Sequence, residues 1–132
     1  HIIKKFSTLA RPIINLHISY LPFNRGAHPN FWAHYDRTPS GVSIHEIDEG
    51  IDTGPVLFQK KINFNNNESL ESSYIKLHKE IEKLFIDNIV VIENNEYEKH
   101  QMSEIGTFHV KKELPNWVKW QMTIEEVHKK DA

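Results

Sequence analysis

Apolar positions recur along this chain with two different periods, and the change of period marks its elements. Residues 12–18 carry Ile13, Ile14, Leu16 and Ile18 behind Pro12, which predicts a short buried strand. Residues 42–47 alternate, with Val42, Ile44 and Glu46 on one face and Ser43, His45 and Ile47 on the other, and predict a second strand. A third is predicted over 56–62. Pro22, Asn24, Gly26 and Pro29 mark a loop over 22–29, Thr38-Pro39-Ser40-Gly41 a turn, and 48–55 a glycine-bearing loop. Residues 30–34, with Phe31 and Trp32, read as a short helix.

After Asn65-Asn66-Asn67 the period lengthens. Leu70, Tyr74, Leu77, Ile81, Leu84, Phe85, Ile89 and Ile92 recur every three or four residues, one apolar stripe of a long helix expected to pack on the core. Lys76, Lys79, Glu80, Glu82 and Lys83 fill its other side, and Ser69 is the predicted N-cap. Past Asn94-Asn95 the pattern weakens. Residues 106–109 read as a short strand or an extended arm. Trp117 and Trp120 are expected to pack on the core rather than to stack a ligand. Thr123 and Glu126 form a predicted capping box opening a final helix.

Composition narrows the class. The chain has 132 residues, 39% hydrophobic and 26% charged, an ordinary mixture for one domain over 1–132, with 100–132 read as a C-terminal extension. The net charge of −2 supplies no positive field for nucleic acid. There is no cysteine, hence no disulfide framework or thiolate chemistry. No apolar run is long enough to span a membrane and no signal-peptide pattern opens the chain, so a cytoplasmic location is the default expectation. The chain opens with His1 and the apolar pair Ile2-Ile3, which reads as the middle of a fold and predicts that an N-terminal portion is missing. Nine histidines invite a metal reading, but His28 and His34 are six apart and no His-x-x-x-His pair opens a helix, so no metal is expected.

Three residues carry the candidate chemistry. Asn15 and His17, two apart on a strand, share a face. Asp52 lies in the glycine-bearing loop. An amide donor, an imidazole and a carboxylate suit acyl transfer between nitrogens: the amide stabilises an oxyanion, the imidazole moves a proton and the carboxylate sets its charge state.

The segment from Asn15 to Gly54 resembles the catalytic segment of the folate-dependent formyltransferases, which act on glycinamide ribonucleotide, methionyl-tRNA or amino sugars. The matching residues are Asn15, His17, Ser19, Leu21-Pro22, Arg25-Gly26, Gly41-Val42-Ser43-Ile44-His45 and 48–54. They cover about a third of the chain in the family's order, a far more specific signal than a lone triplet. The resemblance implies an α/β fold, a formyltransferase-like (Rossmann-like) twisted sheet with flanking helices, of which this chain is the C-terminal part.

It further implies 10-formyltetrahydrofolate as formyl donor and a primary amine as acceptor. In that reading Asn15, His17 and Asp52 form the Asn-His-Asp triad, with Asp52 holding His17 and favouring its imidazolium. Asp48, Glu49, Gly50, Ile51, Thr53 and Gly54, with His45, would hold the folate, and Ser19, Arg25 and Gly26 the acceptor. Ile18 stands where the purine-pathway members have Pro. The run Arg25-Gly26-x-x-Pro29 is closer to the tRNA and amino-sugar branches, and Gly106-Thr107-Phe108-His109-Val110-Lys111-Lys112 resembles a sugar-type element. The expected acceptor is therefore a small molecule such as a nucleotide-linked amino sugar. Alternatives are a purine-pathway acceptor, methionyl-tRNA, a formyltetrahydrofolate hydrolase and a non-catalytic folate-binding module.

Overall fold

The structure, a computed structural model, describes residues 12–130. The His1-Ile2-Ile3 opening lies outside the described residues. A central sheet is built from β1 (Ile14–His17), β3 (Gly41–Glu46) and β4 (Val56–Lys61) in the order β1-β3-β4, all antiparallel. A second, parallel pair joins β2 (Arg25–Gly26) to β5 (Phe108–His109). Among the described residues there are four α-helices, α1 (Pro29–Tyr35), α2 (Leu70–Asp87), α3 (Ile89–Glu93) and α4 (Ile124–Lys130), and a short 3-10 helix, Lys111–Glu113.

The sheet binds its helix through the residues that alternation marks. Val42, Ile44 and Leu57 meet Leu77 and Ile81 of α2 in one core, with Ile14, Ile18 and Phe58 packed against it. Each such aliphatic side chain, once buried, contributes roughly 1.5–3 kcal/mol. All six residues of β3 are buried, so both of its faces are covered. The pairing of β3 with β4 shifts between Ile44 and His45: Ile44 stands opposite Phe58 and His45 opposite Val56, leaving Leu57 as the extra residue of a bulge.

The helix α2 starts as its sequence predicts. The Ser72 N–H donates to Ser69 Oγ and the Ser69 N–H to Ser72 Oγ, a capping box with serine in both places. It stops earlier than the stripe implies. Asn88 turns its side-chain amide onto the Leu84 carbonyl at 2.8 Å and its N–H onto Phe85, which competes with helix propagation and separates α3 from α2. Of the stripe, Leu70, Leu77 and Ile81 are buried, whereas Tyr74 and Ile89 are partly exposed.

A second cluster gathers Phe31 and Trp32 of α1 with Leu70 and Val127. Trp117 packs into it against Phe31 and Tyr35, as expected, and Trp120 lies against Tyr74, 44% exposed. A buried polar network ties α1 to the start of α2. The Asn30 side-chain amide donates to the Leu70 carbonyl at 3.0 Å and to Ser73 Oγ at 2.9 Å, and its oxygen accepts from His34 Nε2 at 3.0 Å. The final helix carries the predicted box: the Glu126 N–H donates to Thr123 Oγ1 and the Thr123 N–H to the Glu126 carboxylate.

Candidate active site

The face of the sheet turned away from α2 holds the candidate chemistry. Asn15 stands opposite His45 and His17 opposite Ser43 in the β1–β3 register, so their side chains share one face. The 48–54 loop leaves the end of β3 and returns Asp52 to this face. Asp52 adopts φ 54, the left-handed region, which is unfavourable for a residue with a Cβ and is held by the contacts its carboxylate makes. Oδ2 accepts from the Gly26 N–H at 2.9 Å and lies 3.6 Å from His17 Nε2, while Oδ1 lies 3.4 Å from His45 Nε2.

Two glycines make this convergence sterically feasible. A Cβ on Gly54 would stand 1.8 Å from the Glu46 carbonyl oxygen, so the loop closes on β3 only because that position is bare. Gly26, at φ 90, would press a Cβ to 2.2 Å from the His109 carbonyl oxygen. Gly54→Ala is expected to push the loop off β3 and lower stability by about 1–3 kcal/mol, as overpacking does. Thermal unfolding checks this, and a variant melting with the wild type would refute it.

The hydrogen bonds fix the tautomers. His17 Nε2 faces the Asn24 carbonyl oxygen at 3.0 Å; a carbonyl only accepts, so Nε2 carries the proton. His17 Nδ1 makes no hydrogen bond among the described residues. His45 Nδ1 donates to the Glu46 carbonyl at 3.0 Å, and the ring is buried with Nε2 turned toward Asp52.

Burial lowers the His17 pKa, and the opposing pull of Asp52 and of the Asn24 carbonyl does not overcome it; the neighbouring His45 lowers it further. The expectation that Asp52 favours the imidazolium holds for the sign of its influence but not for the outcome. Burial acts to raise the Asp52 pKa. His45, His17 and the Gly26 N–H outweigh it, and the carboxyl lies below its ordinary value.

The expected residues divide accordingly. The Asp52 carboxylate brings His17 and Gly26 together, and Asn15 lies on the same face of the sheet as His17. The half-buried Asn15 carboxamide makes no hydrogen bond among the described residues. His45, expected to hold folate, is 2% exposed and faces Asp52. Ser19, expected to touch the acceptor, is buried, and its carbonyl accepts from Ser43 Oγ at 2.7 Å. Arg25 rests its guanidinium over Phe108, 5.5 Å from the ring centroid. Asp48 ties the loop internally, its Oδ1 accepting from the Gly50 N–H and the Thr53 hydroxyl. Glu49, Gly50 and Ile51 form the exposed rim. Sequence reasoning passed over Asn24, whose carbonyl orients His17. Its place directly before Arg25-Gly26 was the available signal.

The chain that carries this arrangement falls in a defined class. The formyl transferase family profile matches residues 3–89, and the chain belongs to that family. The structure superposes on the formyltransferase PseJ of Anoxybacillus kamchatkensis with a TM-score of 0.86 and 33% identity, over 99% of this chain and 70% of that one. That protein was solved with UDP-4,6-dideoxy-4-formamido-L-AltNAc and tetrahydrofolate. An N-formyltransferase of Helicobacter canadensis, solved with folinic acid and dTDP-3-aminofucose, gives a TM-score of 0.76 at 29% identity, over 88% of this chain and 45% of that one. The methionyl-tRNA formyltransferase of Thermodesulfovibrio yellowstonii is 44% identical over 77 residues, 58% of this chain and 25% of that protein. The dTDP-4-amino-4,6-dideoxyglucose formyltransferase of Mycobacterium bovis is 29% identical over 101 residues, 76% of this chain and 43% of that protein. The chain thus spans a quarter to less than half of these curated relatives.

Proposed function

We propose that the protein carrying this chain transfers a formyl group from 10-formyltetrahydrofolate to the primary amine of a nucleotide-linked amino sugar. The observation that carries this reading is the placement of Asn15 and His17 on one face of the sheet, with Asp52 3.6 Å from His17 and an exposed loop rim next in sequence. The sugar acceptor is favoured because PseJ, solved with a formamido sugar nucleotide, is matched over nearly the whole chain. The stretch shared with the methionyl-tRNA enzyme is shorter.

In this reaction the amine nitrogen bonds to the formyl carbon and the carbon's bond to the folate nitrogen breaks. One proton leaves the amine and one reaches the departing nitrogen. When bound, the folate supplies the activated formyl group. On the rim, Ile51, 60% exposed, would offer an apolar side chain to such a group. Asn15 donates its amide N–H to the formyl oxygen as charge builds there. His17, neutral with Nε2–H held by Asn24, takes up the amine proton at Nδ1 and returns it to the leaving nitrogen. Asp52 steadies the ring as it gains charge.

Incubation with 10-formyltetrahydrofolate, with and without a nucleotide-linked amino sugar, tests the reading. Amine-dependent formamide and tetrahydrofolate are expected, whereas amine-independent formate release would mark a hydrolase. Asn15→Ala is expected to lower kcat about a hundredfold or more, the usual loss for one oxyanion donor. Single-turnover kinetics measures it, and an unchanged rate would remove Asn15 from the mechanism.

A further inference from the structure

Residues 106–109 reach back across the fold to the loop that serves the site. Thr107 contacts Asn24, 1% exposed, whose carbonyl receives the His17 Nε2–H. The Asn24 N–H donates to Thr107 Oγ1 at 2.7 Å. The Thr107 hydroxyl points its own hydrogen toward Asn24 Oδ1 at 3.4 Å. The other end of the same carboxamide donates to Thr38 Oγ1 at 2.9 Å. Asn24 is thus gripped at its N–H and both side-chain atoms, and it adopts φ 60, the left-handed region that asparagine tolerates better than most residues.

The arm is anchored at both ends. Gly106 passes beneath the Pro22 carbonyl so closely that a Cβ would lie 2.0 Å from its oxygen. The Arg25 N–H donates to the Thr107 carbonyl at 2.9 Å and the Ala27 N–H to the His109 carbonyl at 3.0 Å. The His109 ring stacks on Trp32 at 3.7 Å, with Nε2 2.8 Å from Asp36 and Nδ1 3.1 Å from Glu113. Between these anchors lie the two backbone groups that the site uses from this loop: the Asn24 carbonyl on His17 and the Gly26 N–H on Asp52.

We infer that residues 106–109 are a latch that sets the catalytic geometry, with Thr107 as a positioning residue acting on His17 through Asn24. The inference rests on the formyl-transfer reading for its catalytic consequence, but not for its structural one. An imidazole held by one carbonyl swings when that carbonyl moves, and a displacement near 1 Å at a reacting group lowers rates by roughly a hundredfold.

The discriminating pair is Thr107→Val, which keeps shape and loses the hydroxyl, and Thr107→Ser, which keeps the hydroxyl. Thr107→Val is expected to lower kcat between about ten- and a hundredfold. KM for both reactants is expected to stay within about twofold. Thr107→Ser restores the rate. A second readout needs no substrate. The groups facing His17 are Asp52 and His45, and the Asn24 carbonyl favours its charged form. Loosening that carbonyl therefore moves the His17 NMR titration to lower pH in Thr107→Val, and Thr107→Ser restores it. Thr38→Val, which frees the other end of Asn24, shifts it in the same direction and serves if Thr107→Val does not fold.

An unmoved His17 titration in the folded valine variants overturns the latch, as does a serine variant impaired as much as the valine one. A wild-type protein that binds folate yet formylates no amine overturns the formyl-transfer reading while leaving the titration result standing.

Discussion

His17→Ala is expected to lower kcat/KM by roughly a thousandfold, within the range for loss of a positioned proton-transfer group. The expectation follows from how the ring is held. Its Nε2–H is engaged by the Asn24 carbonyl at 3.0 Å with Asp52 at 3.6 Å, so only Nδ1 is left to exchange a proton. Burial lowers the pKa from 6.5, so the free ring is neutral at neutral pH and ready to accept. The acid limb of kcat/KM should accordingly lie below pH 6.5 and not at it. Asp52→Asn removes the largest influence that favours the imidazolium and should move that limb lower still. Steady-state kinetics across pH, with a thermal melt confirming that each variant is folded, measures both effects. A His17→Ala enzyme within about tenfold of wild type would exclude His17 as the proton carrier.

The parts of this site that were legible in the sequence are those set by short-range rules. Two-residue alternation put Asn15 and His17 on one face, and the register with His45 and Ser43 bears that placement out. Thr123 and Glu126 announce a cap that the structure contains, because a capping box closes within four residues. Asp52 came from an ordered motif and not from any periodicity, since the loop that carries it has none. What stayed hidden depends on long-range geometry. Thr107 and Asn24 are 83 residues apart, and nothing local to the Gly106-Thr107-Phe108-His109 run reveals which loop it will grip. His45 was assigned to the folate through the resemblance, and a motif gives the order of residues but not their depth; packing buries His45 beside Asp52. The apolar stripe continues through Ile92, yet Asn88 ends α2, because one side-chain hydrogen bond to Leu84 opposes a pattern that records only polarity.

His34 gives the fold a pH limit separate from catalysis. Its ring is buried in α1, and Nε2–H donates to Asn30 Oδ1 at 3.0 Å within the network that joins α1 to α2. Burial, reinforced by His128 and opposed by Glu68, lowers its pKa from 6.5 to about 4. The unfolded chain therefore takes up this proton before the folded one does. The stability associated with the neutral ring is fully present above pH 6.5 and is lost as pH falls toward about 4. The loss amounts to roughly 2 kcal/mol at pH 5 and about 3 kcal/mol below pH 4. His34→Gln keeps a donor for Asn30 but cannot titrate. Between pH 7 and pH 5 its unfolding free energy should fall by roughly 2 kcal/mol less than that of wild type, as measured by urea unfolding. Equal losses in the two proteins would mean that the ring protonates in place without strain on the Asn30 network, and that the acid limit of the fold originates elsewhere.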